Sequence, residues 1–165
     1  MKSLTFAEAA EWCTNHGLAL GAQRFPAQPA KVDTFRIPED AGAKIALVAG
    51  DLHGLSDASE ILVWVAQWGV WPSSERQHIF DRFRLSYGER RGLHEVPAFL
   101  FERGEFEDAV SCATLGVLFL WDIHVLAPQE AAHLYYSHDE VGWRAVEQVD
   151  AADDHRVGGN RDARS

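Results

Sequence analysis

The chain has 165 residues, a length that suits one domain with a single well-filled core. Its 25 Asp and Glu outnumber 15 Lys and Arg, giving a net charge of -10 with neutral histidines. That balance argues against a nucleic-acid backbone as the main partner and suits solubility, or a basic protein partner.

Cys13 and Cys112 stand far apart, with no CxxC or His–Cys cluster, and read as buried thiols rather than a bridge. The first residues form no apolar leader, and no run is long enough to span a bilayer. The expectation is a cytoplasmic protein that does not engage a membrane.

Thr5 and Glu8 match the capping box that opens a helix. That helix should run from Phe6 to His16 and stop at Gly17, with Phe6, Ala9, Ala10 and Cys13 inward. Leu18 to Ala30, with Pro26 and Pro29, reads as a loop. Lys31 to Ile37 alternates like a strand. Pro38-Glu39-Asp40 then looks like a helix start, with Ala41, Ile45, Val48 and Leu52 facing inward. The alternative there is a strand from Lys44 to Ala49. Asp51 to Ser59 reads as a polar turn.

Ile61 to Val70 is apolar apart from Gln67 and rich in β-branched and aromatic residues. A run apolar on both faces predicts a central strand covered on each side. Trp71-Pro72 closes it, and Ser73 or Ser74 caps a following helix. Ile79, Phe80, Phe83 and Tyr87 recur at helical spacing up to Gly88. This helix also carries Arg76, His78, Arg82 and Arg84, which together would suit an anion or an acidic partner. The plainer reading is a solvated face with local ion pairs.

Pro97 to Phe101 reads as a short strand or an extended segment. A helix opens near Glu105, where Ala109, Cys112 and Gly116 make a small-residue stripe that allows close approach to a sheet. Phe119 to Ala127 alternates cleanly, Pro128-Gln129 turns, and Ala131 to His138 returns as the second strand of a hairpin. From Glu147 apolar content falls away, so residues 1–146 read as one domain and 147–165 as a mobile polar tail.

The hairpin carries the first candidate site. An even-numbered turn puts Asp122 and His124 on one face with His133 and Tyr135, His124 lying beside or diagonal to His133. Two imidazoles and a carboxylate suit a divalent metal or acid–base work. The plainer reading is the polar face of an edge hairpin. His138 and Asp139, in Ser137-His138-Asp139-Glu140, are the second candidate, as catalytic residues; ordinary turn chemistry competes with that role. Asp51 and His53 form a third and weaker cluster. Trp71, beside Arg76, is a candidate anchor for a protein partner. GxSxG, P-loop, GxGxxG, HExxH and EF-hand patterns are all absent, so no cofactor is expected and a divalent metal belongs to the alternative reading alone.

The runs QWGVWPSSE, RLSYGERRGLHEVPAFLF, LFLWDIHVL and YYSHDE, spread over Ile61 to Trp143, resemble motifs of small bacterial proteins of uncharacterised function. The resemblance implies a recurrent bacterial domain and transfers no activity, cofactor or catalytic residue.

These readings converge on one α+β domain, with a four- to five-stranded, mainly antiparallel sheet, helices packed on it and a closing β-hairpin. The leading functional expectation is a non-enzymatic protein-binding or accessory domain; immunity to a toxin fits by analogy alone. The alternative is a metal-dependent or acid–base hydrolase built on the hairpin.

Overall fold

The computed structural model describes residues 1–69 and 74–145, and for 74–76 the backbone alone. In chain order the elements are β1 (Lys2–Leu4), α1 (Phe6–Asn15), β2 (Val32–Arg36), α2 (Ala41–Leu52), β3 (Glu60–Gln67), α3 (Ser74–Ser86), β4 (Ala98–Glu102), α4 (Phe106–Leu118), β5 (Asp122–Ala127), β6 (Ala132–Tyr136) and β7 (Val141–Ala145). The α+β class is as expected. The strand count is not: seven strands form one antiparallel sheet in the order β1-β4-β3-β5-β6-β7-β2. The hairpin of β5 and β6 therefore lies inside the sheet and does not close it. β7 returns beside β6 through the turn at Ser137–Glu140, where Glu140 adopts φ +62°, and β2 forms the edge beyond.

β3 holds the centre, as its two-sided apolar character requires. Ile61, Val63 and Val65 face one layer and Leu62 and Trp64 the other, and all five are buried. The first layer joins Val48 and Leu52 of α2, Phe80 of α3, and Ala109, Cys112, Ala113 and Val117 of α4. The small-residue stripe of α4 does bring it close to the sheet. A Cβ on Gly116 would stand 3.0 Å from the Ile123 side chain. In α2 the inward stripe is rotated from the expected one: Lys44 is buried with Val48 and Leu52, while Ile45 is 47% exposed.

α4 ends later than the alternation of residues 119–127 implies. The Trp121 N–H donates to the Gly116 carbonyl and the Leu120 N–H to that of Val117, with Leu120 left-handed at φ +57°. This double bond pattern caps the helix, so Phe119 and Leu120 belong to its end and β5 begins at Asp122.

On the other layer, the capping box of Thr5 and Glu8 opens α1, which sets Ala9, Ala10 and Cys13 against Leu62, Trp64, Ala98 and Leu100. α1 covers the β1-β4-β3 side of this face. Cys13 and Cys112 are both free and buried, and burial pushes the Cys13 thiol up to about 12. Among the described residues, no helix is long and apolar enough to cross a membrane. The tail expected at 147–165 falls outside the described residues.

Candidate functional site

A four-residue turn, Pro128 to Ala131, joins β5 to β6 and sets an even register, with His124 opposite Tyr135 and Leu126 opposite His133. The period of two then places Asp122, His124, His133 and Tyr135 on one face. β7 adds Trp143 opposite Tyr135 on that same face. This is the layer that α1 covers elsewhere, so beyond α1 it needs other cover.

The segment after α1 supplies part of it. The Gly21 N–H donates to the Phe25 carbonyl, the Ala27 N–H to that of Ala19, and Arg24 turns left-handed at φ +62°. This tight excursion lays Phe25 between Phe6, Trp64 and His124, at ring separations of 5.1, 5.3 and 6.4 Å. β3 contributes from the third side. Its register shifts between Val65 and Gln67, and the bulge lets Ala66 and Gln67 both border the same space.

The result is a pocket of about 330 Å³. Phe25, His124, Tyr135 and Trp143 form aromatic walls, while Asp122 and the amides of Gln23, Gln28 and Gln67 supply polar groups. The volume lies at the small end of the range for ligand sites.

The side chains are paired differently from the expected trio. His124 Nδ1 and His133 Nε2 share a hydrogen bond of 3.1 Å, both rings buried. Burial, then the neighbouring His133, pushes His124 down to about 3; burial pushes His133 down to about 4. Both are therefore neutral imidazoles at neutral pH. Asp122 turns instead to the β6–β7 turn, where its Oδ1 accepts from the His138 N–H and meets His138 Nδ1, each at 2.7 Å. That contact raises His138 above its usual value. His138 Nε2 lies 3.4 Å from Asp139. Burial, then the charge of Asp122, pushes the Tyr135 hydroxyl up to about 12. Among the described residues, no group of three or more His, Cys, Asp or Glu side chains is arranged to hold a metal ion.

Of the two candidates on the hairpin, Asp122 and His124 line the pocket; His133 bonds to His124 and His138 to Asp122 without lining it, and Asp139 is exposed. The arginine helix borders a second pocket, of about 380 Å³, through Arg84 together with Asp81, Glu89, Arg90 and Arg91. Arg84 is 3% exposed and bound to Asp81 and to the Arg91 carbonyl, whereas Arg82 is exposed. Two residues apart on a helix point to nearly opposite sides, so they cannot share one anion. Trp71 and the Arg76 side chain lie outside the described residues. Asp51 is structural: it binds Arg144 at 3.0 Å and accepts from the Tyr136 hydroxyl at 2.9 Å, while His53 is exposed.

Sequence reasoning misses Phe25, Gln23 and Gln28, because a loop offers no periodicity to read. Gln67 had a signal, as the single polar residue in an apolar strand. Trp143 reaches the site only through β7, which sets it on the sheet opposite Tyr135. No protein-family model, curated protein or solved structure matches the chain, so the site rests on its own geometry.

Proposed function

We propose that this chain is a non-enzymatic cytoplasmic binding domain that holds a protein partner, with the aromatic pocket as its recognition site. The observation that carries this reading is the pocket itself: rings from β5, β6, β7 and the loop after α1 enclose about 330 Å³ on the face α1 leaves open. Rigid aromatic walls with a polar border are the anatomy of an interface anchor pocket. The net charge of -10 favours a basic partner and speeds its encounter.

A second reading is favoured by one contact, Asp122 with His138 at 2.7 Å. A carboxylate that orients an imidazole is the arrangement of a general base, and an acid–base hydrolase would use His138 in that role beside Tyr135.

Two measurements separate these readings. Partner capture with wild-type bait should retain a basic protein that Gln28→Lys bait loses, since Gln28 is exposed at the pocket and its replacement leaves the core untouched. Steady turnover of an ester, phosphate or glycoside substrate, abolished in His138→Ala, would overturn the binding reading and establish the enzyme.

A further inference from the structure

The pocket has a definite electrostatic character. Among the described residues, Asp122 is the one Asp, Glu, Lys or Arg side chain on its wall. His124 adds no positive charge at neutral pH, for burial keeps its imidazole unprotonated. Behind the wall, His138 Nδ1 meets Oδ1 of the Asp122 carboxylate at 2.7 Å.

Around that carboxylate stand ring systems whose faces carry negative quadrupoles. Tyr135 and Trp143 stack at 5.5 Å and 25°, and Phe25 lies nearly parallel to His124 at 6.4 Å. Gln23, Gln28 and Gln67 offer amide oxygens as acceptors at the border. An aromatic enclosure with one carboxylate and no lining cation attracts positive charge by two separate mechanisms, ion pairing and cation–π contact.

We infer that the pocket receives the cationic side chain of a basic protein partner, an arginine guanidinium set against the aromatic walls and paired with Asp122. This rests on the binding reading above and names the chemistry of its anchor. The charge of the whole molecule supports the choice, since an acidic surface gathers basic partners before any side chain is seated. Guanidinium suits the site better than ammonium: its plane stacks on rings, its fork can take the Oδ2 atom of Asp122, and it sheds water more easily.

The test is calorimetric titration of the full chain with three probes: a short Arg-containing peptide, the same peptide with neutral citrulline in place of Arg, and agmatine. The inference expects the Arg peptide to bind at least about tenfold more tightly than the citrulline peptide. It also expects Gln28→Lys and Asp122→Asn each to weaken the Arg peptide by a similar factor. Gln28→Lys is the safe variant, because an exposed substitution leaves the fold intact whatever Asp122→Asn does.

Equal binding of the two peptides would overturn the cation and leave a pocket that reads shape. Agmatine binding more tightly than the Arg peptide would also overturn the inference, making the ligand a free small cation. If neither peptide binds while Gln28→Lys still abolishes partner capture, the cation inference falls and the binding reading stands. If Gln28→Lys changes neither binding nor capture, both fall together.

Discussion

His124 and His133 meet at 3.1 Å among aromatic rings, and burial holds both neutral. Unfolding frees them to titrate near their ordinary value of 6.5. Below that pH the unfolded chain takes up two protons that the folded chain refuses until about 4 and about 3, so stability falls as pH falls through this window. His138 works the other way, because its contact with Asp122 raises it. Its stabilisation is fully present below 6.5 and is lost as pH rises through its higher folded value, so it offsets only the first part of the fall from pH 7 and is constant in acid. Urea unfolding at pH 7 and pH 5 should show a loss of about 2–4 kcal/mol, near 1.4 kcal/mol per pH unit for each buried imidazole. Equal stability at the two pH values would mean that the imidazoles are solvated and the site is not closed as described.

Two elements owe their placement to single backbone positions. β2 lies flat against β7 because Gly142 has no side chain: a Cβ there would meet the Phe35 ring at 2.4 Å and the Tyr135 carbonyl at 2.9 Å. Phe35 instead folds over Gly142 to meet Tyr136 edge-on at 5.8 Å, and Arg144 covers the ring at 4.6 Å. Gly142→Ala must displace backbone as well as ring and should cost about 2–3 kcal/mol, read as a lowered urea midpoint. An unchanged midpoint would show that β2 is not seated as described. The end of α4 offers the reverse case. Leu120 is a left-handed residue with a partly exposed side chain, a conformation that costs a residue with a Cβ about 1–2 kcal/mol. Leu120→Gly should therefore raise the midpoint, net of the leucine's remaining contacts; a fall would mean those contacts outweigh the strain.

These same positions explain what sequence reading could and could not reach. The alternation of residues 122–127 was enough to put Asp122 and His124 on one face, while the even turn that pairs His124 with the matching face of β6 was an assumption that Pro128 to Ala131 meets, and the capping box was enough to start α1. Val141–Ala145 was not legible as a strand, because a Gly interrupts five residues and the strand is made by the pairing of β2 and β6 on its flanks. β1 has three residues and exists only against β4. The residues that close the pocket come from a loop, a bulge and that unread strand, so only its floor on β5 and β6 was visible beforehand.

On the scale of the whole molecule, one sheet divides two kinds of cover. α2, α3 and α4 seal one layer with a continuous apolar core, while α1 and the loop after it cover the other layer only in part. The pocket lies where that second cover ends. An all-antiparallel sheet anchored by α2 through Asp51, Arg144 and Tyr136 gives the pocket wall a rigid base, so the rings need little ordering on binding. A net charge of -10 suits fast capture of a basic partner followed by seating of one side chain. Binding of this kind should weaken steeply with salt in its on-rate and much less in its off-rate.

The most direct measurement places a photo-crosslinking amino acid at position 28, at the pocket, and in a second sample at position 107, an exposed site on α4 on the opposite layer. Irradiation in the source cells should join position 28 to one basic protein, with the adduct next to an arginine of that partner, and position 107 should give no such adduct. The same adducts from both positions, or none from position 28 alongside substrate turnover that depends on His138, would contradict the account.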